Sequence, residues 1–454
     1  MKQLLTKAQT EKLPPEVWEI FRKFKKEGSE IYLVGGAVRD LLLGKEIYDL
    51  DFATIAHPEE IQKILPDSFY DNIFGTVALA MGGPKSKEKY EITTFRSERG
   101  YSDKRRPDKV FWGNSLEEDL KRRDFTVNAM AVSPQLELVD PFLGQEDLKK
   151  RIIRTVGNPD KRFSEDALRM MRAVRLAVQL GFTIEPKTFA TIQKNEALLK
   201  YISGERIRDE LFKILASDYP NEGITLLLTS GLLRYILPEL IAGYDVAQAK
   251  HHIYDVWTHS LLSLKNVPSQ DPLVRLATLI HDIGKPATAK GEGEARTFYN
   301  HEVVGAKLAK KIAERLRLSK RDGERLTTLV RRHQFSVDER QTDSAIRRFL
   351  RHVGKENLED MLALRTGDRL GGGARETSWR LEKFKERLIE VQKQPFSVTD
   401  LKINGNDVMK TLNLKPSPEV GQILNQIFKE VVEKKIENER KTLLNRLKET
   451  KPSL

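Results

Sequence analysis

The chain has 454 residues, 39% hydrophobic and 32% charged, which gives a soluble globular protein with material for two to four packed domains. Cysteine is absent, which excludes disulfides, thiolate zinc sites and a cysteine nucleophile. The 78 lysines and arginines against 66 acids leave a formal charge of +12, which suits a polyanionic partner, although an indifferent basic surface would account for it as well.

The first residues, MKQLLTKAQTEKLPPEV, contain no apolar signal core, and no later window approaches a membrane span, so a cytoplasmic location is expected. Residues 14 to 27 read as an amphipathic helix with proline at its start and Gly28 at its end. An apolar strand, Ile31 to Val34, then breaks at Gly35-Gly36. A helix-like segment, Ala37 to Leu43, carries Arg39 and Asp40. After Gly44 comes a second strand bearing Asp49 and Asp51. Strand side chains alternate, so these two acids project together while Leu50 and Phe52 turn away. Two carboxylates this close repel unless a cation lies between them, and hard oxygen ligands beside a Gly-Gly turn suit Mg²⁺ with a phosphate chain. Taken alone, Asp-Leu-Asp is more often an ordinary strand end; the order strand, Gly-Gly turn, helix, acidic strand raises the metal reading.

His57 to Glu60 opens a short helix; Phe74 to Ala80 and Tyr90 to Phe95 read as strands, the latter carrying Glu91 as a third acid or a solvent-facing residue. RSERGYSDKRRPDK, residues 96 to 109, is expected to be a mobile basic loop that covers triphosphate, tracks an RNA backbone through Arg105 and Arg106, or is simply solvated. Leu116 to Arg122 is helix-like, and Arg123, Asp124 and Asn128 precede an apolar strand, Ala129 to Val132. Arginine and asparagine there suit phosphate oxygens and a ribose hydroxyl; an Arg–Asp pair fixing a loop is the plainer alternative. Residues 135 to 156 read as a hairpin-like end.

From about residue 157 the pattern is helical. Ser164 reads as the N-cap of EDALRMMRAVRLAVQLGF, whose apolar stripe is Leu168, Met171, Val174 and Val178 and whose stop is Gly181. Asp166 and Arg169 then occupy neighbouring helix positions, with Arg172 continuing the line and Arg175 further round. A carboxylate beside a guanidinium matches the Watson–Crick edge of a base, and equally makes a surface ion pair.

LVGGAVRD, DLDFA, TFRSERGYSDKRRPD, KRRDFTVNAMAV and EDALRMMRAVRLA, in this order and spacing, resemble the class II tRNA nucleotidyltransferases, the CCA-adding enzymes; bacterial poly(A) polymerases share much of the pattern. The resemblance covers residues 31 to about 215, including SGERIRDELFKIL, and returns in DLKINGNDVMKTLNLKPSPEVGQIL near the end. It implies an α+β fold: a nucleotidyltransferase head with a mixed sheet over 1–155, a helical neck that reads the nucleotide over 156–245, a helical body over 246–375, and a tRNA-holding tail over 376–454. It implies that Asp49 and Asp51 bind two Mg²⁺, and that Gly35, Gly36, Arg39 and Arg123 contact the triphosphate with Asp124 and Asn128 beside them. It further implies that Asp166 and Arg169 select CTP and then ATP, with Arg172 and Arg175 lining the pocket, and that tRNA is the partner. The rival assignments are an A-only or CC-only enzyme, a poly(A) polymerase, and an HD phosphohydrolase with an RNA-binding head. Intact Asp49 and Asp51 oppose the last; a basic segment before the Phe74 strand, which poly(A) polymerases carry, is missing.

Histidines number eight, and several fall in a second pattern: His259, then His281-Asp282 followed by Ile-Gly-Lys, then His301 and His333, with Asp368 as a later acid. This resembles the HD phosphohydrolases, in which imidazoles and carboxylates hold a divalent metal that activates water; His259, His281, Asp282 and Asp368 are the expected ligands of a divalent transition metal. His251 and His252 read as surface residues, and Pro418 to Lys451 as one long helix with Val420, Ile423, Ile427 and Val431 inward.

Overall fold

The computed structural model describes residues 3–47, 49–72, 75–80, 89–99, 109–113, 115–248, 253–338, 340–392, 398–433 and 435–449. The chain divides into two compact units, Met1–Ile241 with Arg315–Arg317, and Ala242–Glu314 with Leu318–Leu454.

In the first unit the strands are β1 Gln3–Leu4, β2 Ile31–Val34, β3 Leu50–Thr54, β4 Ser68–Asn72, β5 Thr76–Ala80, β6 Lys89–Thr94, β7 Arg96–Arg99, β8 Lys109–Trp112, β9 Ala131–Val132, β10 Glu137–Val139 and the parallel pair β11 Ile152–Ile153 and β12 Thr183–Ile184. Eight of them form one sheet in the order β1-β10-β9-β2-β3-β6-β5-β4. It is mixed: β3 and β6 run parallel, Asp51 opposite Glu91, and the other neighbours are antiparallel. The helix Pro15–Lys26 begins on proline as expected and buries Val17, Ile20, Phe21 and Phe24. Phe21 meets Phe52 edge to face, with ring centroids 6.0 Å apart. Leu50 and Phe52 thus face the core, and Asp51, one residue between them, faces away.

Three expectations are corrected in this unit. The 96–109 stretch is not loop throughout: its ends are β7 and β8, paired Arg96 to Trp112, while Arg105 and Arg106 lie outside the described residues. The end of the head is not only a hairpin: after β9 and β10 comes a helix, Gly144–Lys150, whose first amides donate to the Asp140 carboxylate at 2.7 and 2.9 Å. Ser164 is not an N-cap. Asn158 caps a short helix, Pro159–Glu165, and Ser164 Oγ donates to the Asp160 carbonyl in its last turn. Asp166 is extended (φ −146°), and a second helix runs from Leu168 to Leu180, ending on Gly181 in the left-handed region. The expected stripe, Leu168, Met171, Val174 and Val178, is buried. The helix Gly204–Leu215 packs alongside.

The second unit is helical. Val256–Asn266, Pro272–Ile280, His301–Arg315, Lys320–Arg332 and Leu358–Gly371 surround the histidines. The tail is not one long helix. Helices Pro418–Val432 and Arg440–Glu449 are separate, because the apolar stripe lapses at Lys435, Asn438 and Thr442, where a continued helix would have nothing to bury. The second helix instead adds Leu443 and Leu447 to the core of Val420, Ile423, Ile427 and Phe428, and Arg446 clasps Glu430 at 2.6 and 2.8 Å. Among the described residues no helix is long and apolar enough to cross a membrane.

Candidate active site and metal centre

The turn after β2 puts Gly35 at φ +76°, a conformation that side-chain-bearing residues rarely adopt. A Cβ there would stand 2.9 Å from Arg123 Nη1 and 3.4 Å from Asp51 Oδ2. The turn, the guanidinium and the carboxylate therefore converge, although they come from three separate stretches of sequence. Asp49 is exposed just before β3, and Asp51 is partly buried within it. Burial pushes the Asp51 carboxyl above its ordinary range; Arg123 opposes this, and Asp49 adds to it. A divalent cation between the two acids relieves both effects, so the residues fit the metal that their pattern suggests.

Arg123 is held from below by Asp119, which is fully buried and pairs with Arg122 at 2.7 Å and with Arg123 at 3.5 Å. Burial works to raise the Asp119 carboxyl, but Arg122 and Arg123 outweigh it and hold it below the ordinary value. Among the described residues, Arg123 Nε is buried without a hydrogen-bond partner, a donor left over for a ligand. On the Gly36–Leu42 helix, Arg39 forks onto Asp40 at 2.9 and 2.8 Å and donates to Asn128 Oδ1 at 2.8 Å. Asp124 caps the Phe125 amide at 2.9 Å and pairs with Arg172 at 3.1 Å. Burial opposes its charge, yet Arg172 holds it below the usual carboxylate range, and Asp124 in turn raises Arg172. Arg172 thus ties the Leu168–Leu180 helix to the stretch that follows the Leu116–Lys121 helix.

Asp166 and Arg169 do not pair with each other. Asp166 accepts from both terminal nitrogens of Arg206, at 3.2 and 2.7 Å, and from the Leu168 amide at 3.1 Å. Arg169 donates to Glu165 at 2.7 Å and to the carbonyls of Arg162 and Arg122, each at 3.3 Å. Arg175 pairs with Glu210 at 2.6 Å. Arg206 and Glu210 stand four apart on the Gly204–Leu215 helix, so one face of it supports both Asp166 and Arg175. The sequence pattern marks this helix as a motif but assigns no part to Arg206 or Glu210, nor to Glu165 and Asp119 elsewhere; the i, i+4 spacing of Arg206 and Glu210 is the signal it offers.

The second unit gathers the other candidates. His259, His281 and Asp282 form one group whose ligand atoms could share an ion, and Asp282, His301 and His333 another. His259 and His281 present Nε2 atoms 3.2 Å apart, and these lie 3.5 and 3.3 Å from Asp282 Oδ2. Asp368 Oδ1 is 3.2 Å from His259 Nε2 and 3.6 Å from His281 Nε2. On the other side, His301 and His333 place Nε2 atoms 3.3 Å apart, at 3.4 and 3.5 Å from Asp282 Oδ1. The four expected ligands do come together, and His301 and His333, noted in the pattern but left out of that set, join them. Each of His281, His301 and His333 bonds through Nδ1 to a carbonyl three residues earlier, at 2.7 to 2.8 Å. That fixes the proton on Nδ1 and leaves Nε2 as the inward ligand atom. Gly284 makes the close approach possible: a Cβ there would stand 2.1 Å from the His301 carbonyl. Burial works against charge on His281, but Asp282 and Asp368 outweigh it and raise its pKa to about 10. Burial opposes both carboxylates as well, yet the imidazoles hold them well below the carboxylate range. His251 and His252 lie outside the described residues.

The family described as "Poly A polymerase head domain" matches residues 31–154, "Probable RNA and SrmB- binding site of polymerase A" matches 181–243, and "tRNA nucleotidyltransferase domain 2 putative" matches 301–447. A CCA-adding enzyme of Lactococcus lactis subsp. cremoris (strain MG1363) is 35% identical over 441 residues, 96% of this chain and 98% of that protein. One from Geobacillus kaustophilus is 48% identical over 224 residues, 49% of this chain and 54% of that protein. The crystal structure of the Bacillus stearothermophilus CCA-adding enzyme in complex with CTP aligns with a TM-score of 0.72 at 30% identity, covering 96% of this chain and 98% of that one. The mixed-sheet head, the helical remainder and near-full-length similarity lead to one assignment: this chain belongs to the class II tRNA nucleotidyltransferases, the CCA-adding enzymes.

Proposed function

We propose that the chain adds or repairs the 3′-terminal CCA of tRNA, taking CTP and ATP in turn and releasing pyrophosphate. Enzymes of this family depend on a divalent metal; here Mg²⁺ suits the hard oxygens of Asp49 and Asp51, which would hold two ions. The observation that supports this most is the convergence of the Gly35 turn, Asp51 and Arg123 at one point. The tRNA 3′-hydroxyl attacks the α-phosphate in line, and the bond to pyrophosphate breaks. When bound, the ions lower the pKa of that hydroxyl and neutralise the leaving group. Arg123 and Arg39, with the Gly35-Gly36 turn, hold the triphosphate, and Asp124 with Asn128 fixes Arg39 and Arg172 around it.

Base choice falls to Asp166 and Arg169. Because Arg206 grips Asp166 and Glu165 grips Arg169, each presents its remaining hydrogen-bonding edge in a fixed direction. Arg172 and Arg175 line the same pocket. Basic residues such as Arg105 and Arg106 meet the RNA backbone, whose recognition is by charge and shape. The compartment such a substrate implies is the cytoplasm. The four-part division into head, neck, body and tail stands as part of this reading.

The experiment offers tRNAs ending in the discriminator base, in C and in CC, with labelled CTP or ATP. All three ending in CCA is the expected result. Addition of A alone would make this an A-adding enzyme, and long A tails a poly(A) polymerase; either would sink the full reading.

A further inference from the structure

Arg123 follows directly on the Leu116–Lys121 helix, and the carbonyls of Lys121 and Arg122 fall beyond that helix's own hydrogen bonds. Two other arginines take them. Arg162 Nη2 donates to the Lys121 carbonyl, and Arg169 Nη2 to the Arg122 carbonyl at 3.3 Å. On the far side of Arg123, the Asp124 carbonyl accepts from the Val156 amide at 3.0 Å. Arg162 Nε holds the carbonyl of that same Val156, also at 3.0 Å. Backbone on both sides of Arg123 is therefore tied to the Arg162 guanidinium. That guanidinium is tied in turn to Arg169. Glu165 Oε2 accepts from Arg162 Nη1 at 2.8 Å and from Arg169 Nη1 at 2.7 Å, and Arg169 Nη1 also donates to the Arg162 carbonyl at 3.3 Å. The three side chains are only 10% to 12% exposed, so water competes little for these bonds.

We propose that Arg162 and Glu165 are positioning residues that couple the reading of the base to the placing of the triphosphate. The proposal rests on the reading of Arg169 as a base reader and of Arg123 as a triphosphate clamp. Cytosine and adenine offer an exocyclic amine to the Asp166 carboxylate and a ring nitrogen to the Arg169 guanidinium. Uracil presents a carbonyl oxygen to the carboxylate and an N–H to the guanidinium, and both are repelled. An Arg169 pushed aside gives up the Arg122 carbonyl, the peptide unit that leads into Arg123. It also leaves Glu165 with Arg162 alone. Arg123 itself has only a long pairing with Asp119, at 3.5 Å, to keep its guanidinium in line. A base that does not fit thus loosens the phosphate clamp, and it is rejected twice. Arg162 has Nε, Nη1 and Nη2 all committed to protein groups and acts through these neighbours.

The test uses the full chain, a tRNA ending in the discriminator base, CTP, UTP, and inorganic triphosphate as an inhibitor that has phosphates and no base. Arg162→Met keeps the stem and removes every donor. The ratio of kcat/KM for CTP over UTP should then fall about tenfold, the effect of one charge-assisted hydrogen bond. Arg162→Lys, which restores one donor without the fork, should recover part of it. In the opposite direction, Arg169→Lys keeps the charge and breaks the paired contacts. It should raise the inhibition constant of inorganic triphosphate about tenfold, although that ligand gives Arg169 no base to read. Thermal unfolding checks that each variant is folded. CTP and UTP slowed alike in Arg162→Met, with the ratio unchanged, would overturn the coupling, and so would an inhibition constant unmoved by Arg169→Lys. Arg169→Ala separates this from the underlying reading. If it leaves the CTP-to-UTP ratio unchanged, Arg169 does not read the base and the coupling falls with that assignment. If it collapses the ratio while Arg162→Met does not move it, the coupling alone is overturned.

Discussion

The two candidate sites would offer a cation opposite settings. In the first unit the acids are few and less enclosed: Asp49 is exposed, Asp51 is partly buried, and Arg123 stands beside Asp51 at the Gly35 turn. In the second, four buried imidazoles and the buried Asp282 carboxylate converge, with the partly exposed Asp368 at their edge. The difference matches what the two kinds of ion require. Mg²⁺ loses its waters reluctantly and is usually bound by one or two carboxylates plus substrate phosphates, so a site built for it is finished only by the nucleotide. Imidazole cages fix a resident ion through protein ligands alone and need fixed ring tautomers, which the Nδ1–carbonyl bonds provide. The first arrangement would be completed by a bound nucleotide, whereas the second has its ligand atoms gathered already.

The largest effect should come from breaking the first of these. Asp51→Ala removes the carboxylate that meets the Gly35 turn, and nucleotide addition should fall at least about 1000-fold. Asp49→Ala should behave alike. Neither should alter the uptake of a divalent transition metal at the histidines of the second unit. Labelled CTP incorporation beside elemental analysis checks both arms, and loss of metal from the histidine site in Asp51→Ala would break the comparison.

Asp119 tests how the open site is supported from beneath. It is fully buried and holds Arg122 and Arg123. Asp119→Asn strands two partly covered guanidinium groups and should cost about 3 kcal/mol of stability at neutral pH, read by denaturant unfolding. Its carboxyl lies below its ordinary value of 3.8 in the folded chain. The stabilising contribution is therefore complete above that value and is lost as pH falls through the depressed one. The gap between wild type and variant should be constant from neutral pH down to about pH 4 and close below it.

Much of this was legible in the sequence, and for physical reasons. Strand alternation placed Asp51 away from Leu50 and Phe52, and the Gly35-Gly36 break marked the turn before the helix. Helix limits were less so. Asn158, Ser164 and Asp166 all have capping side chains within nine residues, and local preference alone could not tell which would cap. The tail looked continuous because the residues linking Val432 to Arg440 are good helix formers; only the lapse of its apolar stripe reveals the break. Least legible were long-range partners. Arg206 is 40 residues from Asp166, and His301 and His333 meet Asp282 only because Gly284 admits a neighbouring backbone. Periodicity reports which face is buried and says nothing of which charge meets which.

Arg206 offers the subtlest test of an assembled site. It does not touch the metal acids, and as a positioning residue it acts through Asp166. Arg206→Met keeps the length and apolar stem but removes both hydrogen bonds to that carboxylate, at 3.2 and 2.7 Å. Asp166 would retain only the Leu168 amide and could swing away from the base edge. A charge-assisted hydrogen bond of this type is worth about 1.5 kcal/mol or more, so discrimination between CTP and UTP should fall about tenfold, measured as a ratio of kcat/KM values. A merely structural role would lower both substrates equally and leave the ratio unchanged. Arg206→Lys, which restores one donor without the fork, should recover part of the selectivity. If Arg206→Met instead lowers CTP and UTP incorporation alike, Asp166 does not read the base, and the preassembled clamp around it serves only to brace the neck.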